Sequence, residues 1–149
     1  MTMRRVCAAA IGLAVVTAVW GLAQVRPSPT MVIGLDFPTL GWVRYDKDGA
    51  IRGTWGFNLG LGISSRTYTA KDGLQLEKLN FFWGWGTLAI LVPYLEIGAT
   101  YAFPMDTDKL FCVSAGGIVA FAGLVAALAG YPLPWWVYPA PYISFSFWL

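Results

Sequence analysis

Residues 51–64 read IRGTWGFNLGLGIS, and their parity limits what the chain can become. The odd positions are Ile51, Gly53, Trp55, Phe57, Leu59, Leu61 and Ile63. The even positions are Arg52, Thr54, Gly56, Asn58, Gly60, Gly62 and Ser64. One set is large and apolar, and the other is small or polar. Side chains alternate across a strand with period two, so this is a strand with two unlike faces. A helix would scatter both sets around its circumference. The pattern predicts a bulky face toward lipid and a small face lining a narrow barrel.

The same parity recurs along the chain. A first strand is predicted over 31–45, with Met31, Ile33, Leu35 and Phe37 on its odd face. Asp36, Pro38 and Arg44 lie on its even face, together with Leu40 and Trp42. Pro38 lacks a ladder donor and weakens this strand or bulges it. Asp46-Lys47-Asp48-Gly49 and Ala70-Lys71-Asp72-Gly73 carry Asp-Gly turn chemistry. The second strand starts at Ile51 and runs toward Tyr68. Further strands are expected over about 77–88, 94–103, from near Leu110, and over 142–149. That makes six, with two more expected in irregular stretches such as 113–138. The charged residues within strand bodies are Asp36, Arg44, Arg52, Arg66, Lys78 and Glu96, and all are even. A lipid-facing Arg or Lys at mid-bilayer costs about 2–4 kcal/mol, which accounts for the bias. With Asn58 and Asn80 these form the expected polar interior.

Composition supports a membrane setting. Hydrophobic residues make up 57% and charged residues 12% of the 149-residue chain; a soluble domain carries about 25% charged residues. A soluble barrel with the faces reversed would present Gly and Ser to water, where Lys, Glu and Thr are usual. The stronger rival is a helical membrane protein. Residues 111–130, FCVSAGGIVAFAGLVAALAG, are uncharged and long enough to span a bilayer. The Gly-rich alternation of 51–64 makes a poor helix. Trp83, Trp85, Trp135, Trp136, Tyr138 and Trp148 suit interfacial girdles.

Residues 1–23 read as a signal peptide: a basic MTMRR, an apolar run, and Gly21-Leu22-Ala23 before a cleavage site. Residues 24–149 then form one barrel domain. Cys7 falls in the leader, leaving Cys112 as a lone thiol without an internal disulfide partner.

In GTWGFNLGLGIS, PYLEIGATYAF and the terminal PYISFSFWL, the chain resembles small bacterial outer-membrane β-barrels of the OmpA/OmpX type over about 31–149. The resemblance implies an outer-membrane location, with the inner membrane as the alternative. It also implies that the barrel-assembly machinery reads the last strand. Ile143, Phe145 and Phe147 match that strand's alternation, and the chain departs from it by ending in Leu149 after Trp148.

Outer-membrane enzymes of similar size, such as lipid A deacylases and palmitoyltransferases, use a catalytic histidine, and this chain has none. Ser–His–Asp catalysis is thereby excluded. No metal or cofactor is expected, and no basic patch suggests nucleic acid. Asp36 and Glu96 share the even face, but buried carboxylates more often pair with bases such as Arg44, Arg52, Arg66 or Lys78. The expectation is a non-enzymatic barrel with a structural or surface-interaction role, its partner being the lipid bilayer. A narrow pore or apolar-ligand transporter is the first alternative. An accessory subunit of a helical membrane complex is the second. Homo-oligomer and complex subunit both stay open.

Overall fold

The structure, a computed structural model, describes residues 27–58, 61–88, 90, 92–130 and 140–149. The leader assigned to 1–23, Leu59, and Trp135, Trp136 and Tyr138 lie outside the described residues. Eight antiparallel strands close into a barrel in chain order. They are β1 (Met31–Gly34), β2 (Leu40–Tyr45), β3 (Ile51–Phe57), β4 (Ile63–Tyr68), β5 (Leu79–Leu88), β6 (Val92–Asp106), β7 (Lys109–Ala120) and β8 (Ala140–Trp148). Val32 lies opposite Trp148 where β1 meets β8.

The helical alternative gives way here. Among the described residues no helix is long and apolar enough to cross a membrane. The first half of the uncharged stretch 111–130 falls in β7, which pairs on both sides, with β6 and with β8. Its even residues Cys112 and Ser114 are fully buried inside. Helical pairing takes over only at Phe121–Leu128 (α1), which stops before Gly130 at φ 76°, a backbone region glycine enters without strain.

The two extra strands come from the first half of the chain, not from 113–138. Residues 31–45 form two strands around Leu35–Thr39, and residues 51–68 form two around Asn58–Gly62. Pro38 sits in the first of these connections, where its missing N–H costs no ladder bond. The break reverses the side-chain phase of β2. Leu40 and Trp42 point outward, Trp42 stacking on Trp55 of β3 with ring centroids 4.8 Å apart. Gly41 turns inward and Val43 packs against the interior cluster.

A second phase change occurs at Arg52. Arg44 pairs with Gly53 and Tyr45 pairs with Ile51, so Arg52 is the extra residue of a β-bulge. Ile51 thereby turns into the barrel, although Gly53 and Trp55 face out. There it joins Val32, Tyr68, Phe82, Ala102, Leu110, Cys112 and Trp148 in an apolar cluster. Leu74 and Leu76, from the β4–β5 connection, pack onto that cluster from below. Asn80 pins this connection by accepting from the Gln75 N–H (2.6 Å) and donating to the Gln75 and Lys78 carbonyls (both 2.8 Å).

The two ends of the barrel differ in kind. The connections 46–50, 69–78 and 107–108 form one end, called here the turn end. The connections 35–39, 58–62 and 89–91, with α1, form the loop end. At the turn end, left-handed backbone positions are held by Gly49 (φ 74°), Gly73 (φ 72°) and Glu77 (φ 53°). At the loop end they are held by Leu61 (φ 58°) and Ile90 (φ 66°), side chains that pay about 1–2 kcal/mol for that conformation.

Candidate functional site

The polar interior is built on one cross-strand row. Thr54 of β3 lies opposite Arg66 of β4, Arg66 opposite Gly84 of β5, and Gly84 opposite Glu96 of β6. Strand parity points all four inward. Gly84 leaves the space between them open: a Cβ there would come within 2.8 Å of Glu96 Oε2 and 2.9 Å of the Ser65 carbonyl oxygen. Arg66 and Glu96 can therefore meet across it, Nη2 to Oε1 at 2.5 Å.

Asp36 arrives from elsewhere. The Leu35–Thr39 connection folds into the barrel, burying Asp36 and Pro38 and placing the Phe37 ring edge-on to Tyr94 and Tyr142 (5.9 and 5.8 Å). Asp36 accepts from the Phe37 N–H at 2.8 Å, while the Thr39 hydroxyl donates to the Asp36 carbonyl at 3.0 Å. The Asp36 carboxylate then meets Arg66 through two bonds, Nη1–Oδ2 at 2.8 Å and Nη2–Oδ1 at 2.7 Å. This fork geometry is the strong form of an arginine–carboxylate pair.

β7 and β8 complete the cluster with hydroxyls. Ser114 donates to Asp36 Oδ2 (3.1 Å) and Ser144 to Asp36 Oδ1 (2.8 Å). The Tyr142 hydroxyl donates to Glu96 Oε1 in a short bond. Below the cluster, the Arg66 guanidinium carbon sits 3.9 Å from the centroid of the Phe82 ring, a cation–π contact. One cation thus faces two carboxylates, with neutral donors filling most of the remaining acceptor positions. Arg66 Nε and Glu96 Oε2 are buried with no hydrogen-bond partner among the described residues.

The other residues expected inside are spread more widely. Asn58 is buried near the loop end, donating to the Tyr94 hydroxyl (3.1 Å) and accepting from Ser64 (2.7 Å). Asn80 is buried near the turn end. Arg52 lies half-buried at the turn end, paired with Asp46 at 2.8 Å. Lys78 is exposed at the foot of β5. Arg44 is on the outer wall, because the β2 phase reversal carries it there. Its Nη2 crosses Gly53 and donates to the Arg66 carbonyl and to the Thr67 hydroxyl, both at 2.8 Å. Of the four basic candidates, only Arg66 meets Glu96.

Thr100 is buried on the even face expected of its strand, and Ser114, Tyr142 and Trp148, not expected inside, join it there. All four are even and lie within alternating stretches, so the signal was present. Trp148 was assigned to an interfacial girdle, yet it is 2% exposed and inside the barrel. Its indole N–H donates to Ser146 at 3.1 Å. Trp83 and Trp85 do face outward.

Chemically the cluster is one buried arginine bound to two buried carboxylates, with Arg66 Nε and Glu96 Oε2 left without partners among the described residues. Among the described residues no group of three His, Cys, Asp or Glu side chains is placed to hold a metal ion. Cys112 is free and buried in the apolar cluster. No protein-family model matches the chain, and neither the curated proteins nor the solved structures contain a match to it.

Proposed function

We propose that this chain is a membrane-inserted barrel without enzymatic activity, whose role is structural or lies in surface interaction, in a bacterial outer membrane. The carrying observation is the distribution of side chains between its two faces. Trp55, Phe57, Ile63, Phe81, Trp83, Ile97, Phe145 and Phe147 are all exposed on the outer wall. The interior holds Arg66, Asp36 and Glu96. A water-soluble barrel would bury the first set and expose the second. An eight-stranded barrel is narrow enough for side chains to fill it, and here the Arg66 cluster and the Trp148 cluster do so. The pore alternative drew on a line of basic residues through the interior. Arg66 alone of that line lies there, tied to two carboxylates.

The test has two parts. Purified protein is refolded into lipid vesicles, and resistance to carbonate extraction and to protease is measured. The same preparation is then reconstituted into planar bilayers. Stable insertion without reproducible conductance is the expected outcome. Extraction into the aqueous phase would overturn the membrane reading, and stable unitary currents would replace the filled barrel with the narrow pore.

A further inference from the structure

We infer that the barrel inserts from one side only, with its loop end seated in the hydrocarbon of the bilayer instead of emerging into water beyond it. The inference rests on the membrane reading above and adds a topology to it.

The first observation is the partition of charge. From Pro27 onward, the charged side chains other than Asp36, Arg66 and Glu96 lie in the 46–50 and 69–78 connections, in the 106–109 turn, or at Arg44 and Arg52 beside them. All of these belong to the turn end. Residues 110–149 contain no Asp, Glu, Lys or Arg. The loop end instead exposes Leu35, Leu61, Ile90, Val125 and Leu128. Leu61 and Leu128 are 81% exposed and Ile90 is 69% exposed, beyond most of the outer wall.

The second observation is independent of the first. A water-facing turn that needs a left-handed residue usually takes Gly, Asn or Asp. The turn end uses Gly49, Gly73 and the charged Glu77 (φ 53°), whereas the loop end, besides Gly130 after α1, puts the apolar Leu61 and Ile90 in that conformation. Apolar character is kept there against the backbone preference.

The third is strand length. A strand that crosses a bilayer takes about 9–11 residues. β5 to β8 contain 10, 15, 12 and 9 residues, but β1 to β4 contain 4, 6, 7 and 6. Six tilted residues rise only roughly 15 Å, against an apolar band of about 25 Å. On the β1–β4 side the wall ends inside the band.

Irregular backbone in hydrocarbon must have its polar groups satisfied. The loop end meets part of that demand from within. The Asn58 N–H donates to the Gly62 carbonyl at 2.9 Å, and the Leu35 N–H to the Phe145 carbonyl at 2.8 Å. The Ile63 N–H donates to the Thr87 hydroxyl at 3.2 Å. The Asn58 amide reaches the Ile63 and Thr87 carbonyls, and α1 bonds along its own axis. Lipid is favoured over a protein partner because protein interfaces carry a polar rim and cross-partner hydrogen bonds. Among the described residues this end exposes no charged side chain, and its one charge, Asp36, is buried.

The test is nitroxide accessibility in vesicles of phosphatidylethanolamine and phosphatidylglycerol. Single labels are placed at 61, 90 and 128 (loop end), at 97 (outer wall) and at 71 (turn end) of the full chain carrying Cys7→Ser and Cys112→Ala. Collision with oxygen reports lipid, and collision with a neutral water-soluble nickel chelate reports water. Labels at 61, 90, 128 and 97 are expected to collide with oxygen and lose nickel collision, and the label at 71 is expected to do the reverse. Nickel collision at the three loop-end positions, with 97 still shielded, overturns one-sided insertion and leaves the membrane reading intact. Nickel collision at 97 as well overturns both. Protection of the loop-end labels from both quenchers assigns this end to a protein partner or a second copy, and also overturns the inference.

Discussion

Arg66 of β4 grips Asp36 of the β1–β2 connection through two bonds, at 2.8 and 2.7 Å, across thirty positions of sequence. Both side chains are nearly inaccessible, so neither charge has solvent to fall back on. Removing one partner of a buried pair leaves the other uncompensated and costs about 3–5 kcal/mol. Arg66→Leu is expected to lose that much, because it strands both Asp36 and Glu96. Arg66→Lys is expected to recover little, since an ammonium cannot reproduce the two-toothed contact. Urea unfolding of lipid-refolded protein reads the difference, and an unchanged midpoint for Arg66→Leu would remove the cluster from the account of stability.

Gly84 gives a sharper test of the same geometry without touching a charge. Gly84→Ala would place a methyl 2.8 Å from Glu96 Oε2 and 2.9 Å from a backbone oxygen. The carboxylate can shift only by stretching its bonds to Arg66 and Tyr142. Overpacking of this kind costs about 1–3 kcal/mol. The midpoint should fall by that amount in the single variant. In a Glu96→Ala background the further loss should shrink, because the obstructing carboxylate is gone. A full-sized loss in both backgrounds would place the clash in the backbone alone.

The outer wall makes its own prediction. Ile97 is 68% exposed on β6, and its neighbour Glu96 is buried. Ile97→Arg is expected to weaken refolding into vesicles by about 2–4 kcal/mol if the position lies near mid-bilayer. Lys71→Glu, in a turn-end connection, should leave it unaltered. Equal refolding of Ile97→Arg and the parent protein would count against a lipid-facing wall.

Acid dependence should be visible at the turn end. The Ala50 N–H donates to the Asp46 carboxylate at 2.8 Å, and the Arg52 side chain and Asp48 N–H add to it. These bonds hold Asp46 below its ordinary carboxylate value of 3.8. Because the folded value is the depressed one, its contribution is complete above the unfolded value and fades as pH falls through the folded value. Unfolding midpoints of the parent and Asp46→Asn should differ near neutrality and converge in strong acid. A constant gap across that range would show that the carboxylate's charge is not involved.

Much of the wall could be read from parity. Through the middle of β5, β6 and β8 the odd residues face out and the even ones face in, as the alternation requires, and the pattern lapses only at the strand ends. The failures have local causes. Pro38 interrupts 31–45, so β2 changes phase, and Arg44 ends outside despite its even number. Arg52 is an extra residue in its ladder, which turns Ile51 inward. Side-chain size also misled: Trp148 and Phe82 are bulky yet inside, because a narrow barrel needs volume as well as polarity at its axis. Choosing Arg66 over Arg52 or Lys78 as the partner of Glu96 requires the register that sets Gly84 between them. Alternation alone carries no register.

β8 has a double duty that follows from Trp148. This strand zips the sheet shut by pairing with β1 on one edge and β7 on the other. The same strand delivers an indole into the bore, beside Val32 and Leu110. The seam therefore brings its own stopper, and a cylinder sealed through β8 is corked in the same act. In the closed barrel the strand that completes the wall thus also fills the axis at the level of Val32, Leu110 and Trp148.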